Sequence, residues 1–270
     1  MTLLRTIGRY VPVGMRALAN DLGPYGYSGS FPDWEAAQAH VVSDEPDGMI
    51  ERTAAATTAV REGWAEYEQD SVFLPPPAEM AHLLDAIRAS SRRNGGRAHV
   101  VEFGGALGSK YFWARRALDR GVDLRWTVVE LPRHVEHGRA HFASDALRFV
   151  ERLEDAARPV DVAACYSVIQ YLPDPVEAAR ALARIGAASI VLDRIPYSAT
   201  GQAQLVRQRV RGSIYEASLV SWLPAERDVV GAIEAEGYRS AARWEYPRVY
   251  TRRAVFTSYV FTRATESRQQ

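Results

Sequence analysis

An alternation of short apolar runs with helical patterns is the feature that most constrains how this chain can fold. Each apolar run is rich in β-branched and aromatic residues, and most intervening stretches carry helix-forming residues with one apolar face. Such alternation is typical of right-handed βαβ units and of a parallel sheet covered by helices. The runs fall at residues 98–103, 124–130, 147–150, 160–167 and 188–194.

The C-terminal part of the sequence departs from this alternation. We interpret residues 201–212 as an irregular, arginine-rich helical region and residues 225–237 as a helix. Residues 243–250 and 254–264 are predicted to pair as antiparallel strands. The expected fold class is therefore α/β, with a Rossmann-like sheet that ends in an antiparallel strand.

Residues 1–74 are predicted to form a helical N-terminal layer or lid over this sheet. Helical patterns cover residues 34–42 and 49–70, and three consecutive prolines then end them. Residues 78–264 form the main domain, and residues 265–270 are expected to be a frayed tail.

Composition excludes several classes of function. The 33 basic and 33 acidic side chains give a net charge of zero, so nucleic acid is not an expected partner. The lone Cys165 allows no disulfide within one chain, and no stretch is apolar over the length of a spanning helix. We expect a cytoplasmic protein that acts on a small molecule and could form a homodimer. Residues 1–21 either pack on the protein or lie on a membrane surface.

Lys110 is the single lysine of the chain. A phosphate-binding loop of the Gly-Lys-Ser/Thr kind is therefore excluded, as is the Tyr-x-x-x-Lys pair of short-chain dehydrogenases. No other lysine is present to form a Schiff base.

A cluster of small residues follows the first predicted strand of the main domain. Gly104, Gly105, Ala106 and Gly108 let the backbone bend sharply and approach a ligand, while the next helix points unpaired N–H groups at it. The dinucleotide pattern G-x-G-x-x-G is matched at one of its three positions. The pattern (Asp/Glu)-x-G-x-G-x-G is matched from Glu102 onward, with Ala106 replacing the middle glycine.

The second pattern resembles motif I of class I S-adenosylmethionine-dependent methyltransferases. The resemblance implies that Glu102 orders the surroundings of the methionine moiety and that residues 104–108 hold the cofactor. Glu130 ends the next predicted strand about 20 residues later, the position of a residue that accepts hydrogen bonds from ribose hydroxyls. Leu131 beside it is expected to touch the cofactor. The alternative is a tight turn with a structural role alone.

The resemblance extends over residues 30–225, to a family of methyltransferases often encoded beside surface-polysaccharide and lipopolysaccharide biosynthesis genes. It implies strand order 3-2-1-4-5-7-6 with strand 7 antiparallel, and S-adenosylmethionine as cofactor. Most members lack assigned substrates, and Leu219 and Val220 stand where Tyr-Pro is expected. The matching segments are FPDWEAA, EYEQDSVFL, VVEFGGALGSKYF, WTVVELPRHVEHG, SVIQYLPDP and IVLDRIPY.

Methyl transfer is a displacement at a sulfonium methyl, so it depends mainly on how the acceptor is positioned. The predicted fourth strand ends at Tyr166 and Ser167, which together with Gln170 are expected to line the methionine end of the cofactor. Tyr166 or Gln170 would face the acceptor. We interpret Tyr171 as a core residue and Asp174 as the cap of the following helix.

Asp193 and Arg194 come at the end of the predicted fifth strand, and two interpretations of them stay open. They form a structural ion pair, or they act on the acceptor. In the second case Asp193 is a base or orienting carboxylate, and Arg194 holds an anionic group of the acceptor as a bidentate fork.

Other side chains are candidates for contact with the ligands. Tyr67 and Asp70 of the N-terminal layer are expected to touch the cofactor. Tyr215 and Trp222 either wall the acceptor pocket or belong to the core.

Three histidines, His134, His137 and His141, share one side of the helix after Glu130. No further ligands complete a metal site there, so we interpret them as a solvated or rim stripe and predict no metal.

The favoured function is thus methyl transfer to a small molecule, with a sugar or sugar-derived intermediate as one option. The alternatives are an NAD-dependent sugar oxidoreductase or epimerase, and a protein that binds S-adenosylmethionine without methylating anything.

Overall fold

A seven-stranded sheet forms the centre of the computed structural model, which describes residues 26–41, 48–210, 217–246 and 251–264. The strands of these residues are β1 (Gly26–Phe31), β2 (Tyr67–Gln69), β3 (Val72–Leu74), β4 (Arg97–Phe103), β5 (Asp123–Val129), β6 (Leu147–Val150), β7 (Val162–Tyr166), β8 (Ser189–Ser198), β9 (Gln204–Arg209), β10 (Ser218–Leu223), β11 (Tyr238–Glu245) and β12 (Ala254–Arg263).

Helices cover both faces of this sheet. Asp174 caps one of them, because its Oδ1 accepts the N–H groups of Val176 and Glu177 and Pro175 occupies the first turn, which confirms the capping role expected from the sequence. The α-helices of the described residues are α1 (Trp34–Gln38), α2 (Met49–Glu62), α3 (Ala81–Arg93), α4 (Ser109–Ala117), α5 (Pro132–His141), α6 (Pro175–Arg184) and α7 (Glu226–Glu234). None of them combines the length and apolar character needed to cross a bilayer.

The central sheet has the order β11-β12-β8-β7-β4-β5-β6 and is mostly parallel. Strands β4 to β8 pair in parallel, whereas β12 runs antiparallel to both β8 and β11. Numbered along the chain, its seven strands follow the order 3-2-1-4-5-7-6. The α/β fold with a mainly parallel sheet, predicted from the alternating pattern, is confirmed.

Two apolar clusters hold the helices to the sheet. Neighbouring side chains of β4 point to opposite faces, so Val100 enters one cluster and Val101 the other. Every residue of β7 is buried, as expected for a central parallel strand covered on both sides.

A second sheet, of order β1-β9-β10, replaces the helical region predicted at residues 201–212. That prediction is wrong for β9. Its neighbouring side chains are buried on opposite faces, since Leu205 packs in a cluster with Trp34 and Val206 packs with Tyr27. The pairing of β9 with β1 joins segments far apart in sequence, and no local sequence pattern predicts it.

The predicted helix over 49–70 is too long. Helix α2 ends at Glu62, and Gly63 terminates it in the left-handed region with φ of +82°. Strands β2 and β3 then form a hairpin, with Asp70 and Ser71 both at positive φ in its two-residue turn. Strand β11 ends at Glu245, earlier than predicted.

Residues 1–25, 247–250 and 265–270 lie outside the described residues, and so do the expectations for the N-terminal segment and the tail.

Arg116 of α4 fastens the end of α2 to the body of the protein. Its guanidinium donates to the carbonyl oxygens of Val60, Ala65 at 3.3 Å and Glu66 at 3.1 Å. The charged guanidinium thereby satisfies one carbonyl in the last turn of α2 and two carbonyls in the segment after it.

Replacing Arg116 with Met should loosen the segment that joins α2 to β2, because three carbonyl acceptors lose their donor. We expect a loss of roughly 1–2 kcal/mol in unfolding free energy and faster amide exchange at residues 60–69. Arg120→Met, at an exposed arginine beyond the same helix, is the control. Equal exchange in both variants would contradict this role.

Candidate functional site

The small-residue turn after β4 has the backbone conformation that its sequence requires. Gly104, Ala106 and Gly108 all have positive φ, of 72°, 48° and 80°. Ala106 thus adopts the left-handed region at the position where the motif has its middle glycine. A Cβ on Gly104 would lie 2.3 Å from Cγ2 of Val168, so the turn packs closely against the tip of β7.

Glu102 lies directly beneath this turn and has no solvent-exposed surface. Lys110 Nζ lies 3.0 Å from its Oε1, and Trp126 Nε1 donates to its Oε2 at 3.1 Å. A Cβ on Gly105 would lie 2.7 Å from Oε2 of the same carboxylate. The sequence led us to expect Glu102 close to the cofactor, and the structure places it under the turn with both oxygens engaged by protein groups.

Lys110 carries its charge in a nearly buried position. Its Nζ lies 4.8 Å from the centre of the Tyr166 ring, a cation–π distance. Desolvation lowers the pKa of Lys110, but the nearby Glu102, Tyr67 and Glu68 raise it by more, so its net pKa lies above the ordinary value. The ammonium is therefore charged at neutral pH.

Glu130 meets the turn from the end of β5. Its Oε1 accepts the N–H of Ala106 at 3.2 Å, and its Oε2 accepts the N–H of Leu131 at 2.7 Å. Leu131 is 66% exposed, which is unusual for a leucine beside a buried strand. The acid and the turn that the sequence paired are thus in direct contact.

The tip of β7 presents two buried polar atoms that have no hydrogen-bond partner among the described residues. They are the hydroxyl of Tyr166 and Oε1 of Gln170. Ser167 has a positive φ of 56°, and its Oγ accepts from Nε2 of Gln170 at 2.8 Å. Burial raises the pKa of Tyr166, so its hydroxyl stays protonated at neutral pH.

Asp193 is a buried hydrogen-bond acceptor at the centre of a network. Ser258 donates to it at 2.6 Å, Tyr246 at 2.9 Å and Nε of Arg194 at 3.1 Å. Arg194 has a positive φ of 53°, and the pairing of β8 with β12 shifts register beside it. Asp193 and Arg194 thus form an ion pair, and their action on the acceptor stays a prediction.

The β2–β3 hairpin reaches both sides of the site. Tyr67 is 1% exposed, and its raised pKa reflects burial first, with nearby Lys110 and Arg194 opposing it. Glu68 accepts a hydrogen bond from Ser109 beside the turn, and Gln69 accepts one from Arg194. Asp70 is exposed at the hairpin turn.

Sequence reasoning missed four members of this site: Glu68, Gln69, Tyr246 and Ser258. Glu68 and Gln69 fell inside the helix predicted over residues 49–70, and that prediction did not place either side chain near the turn. Tyr246, just after β11, and Ser258, in β12, both reach Asp193 from more than 50 residues away in sequence. No local signal identified them.

The histidines do not behave as one solvated stripe. His134 is buried, whereas His141 is exposed, and the rings of His137 and His141 lie 4.4 Å apart. A solvated stripe was thus wrong for His134. Among the described residues no group of three His, Cys, Asp or Glu side chains is arranged to hold a metal.

The remaining aromatic candidates lie toward the second sheet. Trp222 packs in a cluster with Leu205, and its Nε1 donates to the carbonyl of Pro173 at 3.1 Å. Tyr171 donates to Gln208 at 2.8 Å. Tyr215 lies outside the described residues.

Cys165 is fully buried in β7, and burial raises the pKa of its thiol to about 12, so it has no thiolate at neutral pH.

No protein-family model matches the sequence, and no curated protein matches it. Among solved structures, the chain is similar to S-adenosylmethionine-dependent methyltransferases. One is the 1,6-didemethyltoxoflavin-N1-methyltransferase of Burkholderia thailandensis with bound S-adenosylhomocysteine, at 13% identity over 90% of this chain and 96% of that one, with a TM-score of 0.48.

Two further similar structures belong to the same class. Magnesium protoporphyrin IX methyltransferase from Synechocystis PCC 6803, with bound S-adenosylhomocysteine, is 11% identical over 79% of this chain and all of its own, with a TM-score of 0.47. An S-adenosylmethionine-dependent methyltransferase from Mesorhizobium loti is 13% identical, with a TM-score of 0.46. The match covers 67% of this chain and 100% of that one. None of these comparisons links the chain to surface-polysaccharide biosynthesis.

Replacing Gly105 with Ala should destabilise the protein, because the new methyl group would overlap the Glu102 carboxylate. We expect a loss of roughly 1–3 kcal/mol in the free energy of unfolding by urea. Gly121→Ala is the matched control, since nothing lies within 4 Å of a Cβ there. Equal stability of the two variants would show that Glu102 does not support the turn.

Proposed function

We propose that this protein is an enzyme that transfers a methyl group from S-adenosylmethionine to a small-molecule acceptor. The observation that carries the proposal is the contact between Glu130 and the N–H of Ala106, which unites an acidic strand tip with the small-residue turn. The turn follows β4, between the crossovers to β5 and β7, where ligands of open α/β sheets bind.

The residues around the turn fit a ligand with an adenosyl portion and an amino-acid portion. Glu130 offers a carboxylate to the ribose hydroxyls, and exposed Leu131 offers apolar surface to the adenine ring. The unpartnered Oε1 of Gln170 suits an ammonium group, and Ser167 lies beside it. When bound, S-adenosylmethionine supplies an electrophilic methyl group on a sulfonium sulfur.

Glu102 and Lys110 support this site without touching the ligand. Their charges neutralise each other beneath the turn, so this buried pair adds no net charge to the site. Tyr166, held over Lys110, presents its unpartnered hydroxyl at the tip of β7, where we propose that it faces the acceptor.

Arg194 and Tyr246 are the groups that we propose for orienting the acceptor. Asp193 holds both of them, and its oxygens already accept from three side chains. We therefore assign Asp193 a positioning role rather than that of a base. Burial raises the pKa of Tyr246, followed by the effect of Asp193, so its hydroxyl keeps its proton.

The β2–β3 hairpin closes this edge of the sheet in our proposal. Its contacts through Glu68 to Ser109 and through Gln69 to Arg194 cover both the turn and the register shift in β8. Closure of this kind excludes water from a reactive methyl donor. We propose that residues 1–74 act as the lid through this hairpin, in a cytoplasmic enzyme, and that a sugar derivative is the acceptor.

Calorimetry with S-adenosylhomocysteine and with NAD tests this proposal on the full chain. We expect binding of S-adenosylhomocysteine alone. Binding of NAD alone would favour an oxidoreductase. Binding of S-adenosylhomocysteine without labelled methyl transfer to any of a panel of sugars and sugar phosphates would favour a non-methylating protein.

Replacing Glu130 with Ala should weaken S-adenosylhomocysteine binding by roughly 10- to 100-fold, since a carboxylate that accepts two hydrogen bonds is lost. The thermal unfolding midpoint should stay near that of the native chain. Glu136→Ala, at an exposed acid on α5, is the control. Unchanged affinity in Glu130→Ala would refute its contact with the cofactor.

Replacing Asp193 with Asn should lower the rate of labelled methyl transfer by about tenfold or more, because Arg194 loses the charge that holds it. The affinity for S-adenosylhomocysteine should change by less than about twofold, since Asp193 acts on the acceptor side. Asp228→Asn, at an exposed acid paired with Arg227, is the control. A parallel loss of affinity and rate would assign Asp193 a general structural role.

A further inference from the structure

Glu68 of β2 is a buried carboxylate that forms no ion pair within the part of the chain that the structure describes. Its side chain accepts hydrogen bonds at both oxygens, from Ser109 Oγ and from the N–H of Ser71 at 2.9 Å. Both of these donors are neutral. Because a carboxylate removed from water without a counter-charge is unfavourable, a cation that comes near Glu68 is bound favourably.

Lys110 faces two carboxylates at once. Its Nζ lies 3.0 Å from Oε1 of Glu102. Burial lowers the pKa of Lys110, whereas Glu102 and Glu68 both raise it, so the ammonium interacts with both acids. One ammonium neutralises one carboxylate, and this set of three side chains therefore keeps one negative charge in excess. The start of α4 beside Glu68 contributes roughly half a positive charge, which leaves part of that excess uncompensated.

The other polar groups of the site, as far as the described residues extend, do not supply the missing cation. Arg194 is paired with Asp193, and Glu130 accepts from two neutral backbone N–H groups. Gln170 is 1% exposed, and its Oε1 has no hydrogen-bond partner among the described residues. This oxygen adds a partial negative charge at the tip of β7, beside the turn. The site as a whole therefore suits a positively charged ligand.

Methyl transfer changes the charge of the ligand that we propose for this site. S-adenosylmethionine carries a sulfonium charge besides its amino-acid zwitterion, whereas S-adenosylhomocysteine has no net charge. The bond between sulfur and the methyl carbon breaks and leaves its electron pair on sulfur. The acceptor atom forms the new bond with its own electron pair and releases any proton that it carries to solvent. The cofactor site thus holds a cation before the transfer and a neutral molecule after it.

We propose that Glu68 is a specificity-determining residue, which makes the site bind the positively charged methyl donor more tightly than the neutral demethylated product. Its negative charge attracts the sulfonium and has no such effect on the product, so product release is favoured after each transfer. This role rests on the proposed function. The contact of Glu68 with the start of α4 would by itself affect both ligands equally.

Titration calorimetry of the full chain with S-adenosylmethionine, sinefungin and S-adenosylhomocysteine tests this role. Sinefungin is an analogue with a positively charged amine near the sulfonium position and no methyl group to transfer. We expect the native chain to bind the two cationic ligands about tenfold more tightly than S-adenosylhomocysteine. Glu68→Gln should reduce this preference by about fivefold, and its affinity for S-adenosylhomocysteine should change by less than about twofold.

Two further variants separate charge from structure. Glu66→Gln removes an exposed acid two residues away and should keep the native preference. Glu68→Asp keeps the charge while it changes the contact with Ser109, and it should keep most of the preference. If Glu68→Gln fails to fold, the native chain and Glu68→Asp decide, because a preference absent from either one contradicts the role of this charge.

The proposal is overturned if the native chain binds S-adenosylmethionine and S-adenosylhomocysteine equally, or if Glu68→Gln keeps the native preference. An equal loss of affinity for all three ligands in Glu68→Gln would also overturn it and would assign Glu68 a structural role at the start of α4. In each of these cases, binding of S-adenosylhomocysteine by the native chain leaves the proposed methyl transfer standing. Binding of none of the three ligands by the native chain would remove both proposals.

Discussion

The ion pair between Glu102 and Lys110 is the contact on which the rest of the site depends. It lies at the meeting point of β4 and α4, and Trp126 of β5 and the Tyr166 ring of β7 close around it. Removing one partner of such a pair leaves an uncompensated buried charge, which commonly costs about 3–5 kcal/mol. The pair therefore fixes the turn above it relative to three neighbouring strands.

Two side-chain contacts of the β2–β3 hairpin then connect it to this framework. Glu68 accepts a hydrogen bond from Ser109 at the start of α4, and Gln69 accepts one from Arg194 at the register shift in β8. Since the two acceptors are adjacent in β2, any movement of the hairpin changes both ends of the site together. Two consecutive residues thus link the small-residue turn to the network around Asp193.

The central sheet could be predicted because its strands have local sequence signals, such as the uninterrupted apolar run of β7 and the branched apolar residues of β4 before the small-residue turn. The contact of Glu130 with the turn followed from the same logic, since neighbouring parallel strands end at one edge. The second sheet could not be predicted, because β9 is stabilised by pairing with β1 at a distance in sequence. The network around Asp193 was missed for the same reason: Ser258 is brought to it by the antiparallel pairing of β12 with β8, and Tyr246 by the segment that follows β11.

A chain whose basic side chains are otherwise all arginine has one side-chain amine, and that amine lies 15% exposed inside the supporting ion pair. Reagents that acylate amines would therefore find a single internal target, apart from the chain's own α-amino group. The rate at which they react with Lys110 reports how often the region beneath the turn opens locally and exposes this amine. Covalent labelling is therefore a direct measure of local unfolding at this ion pair.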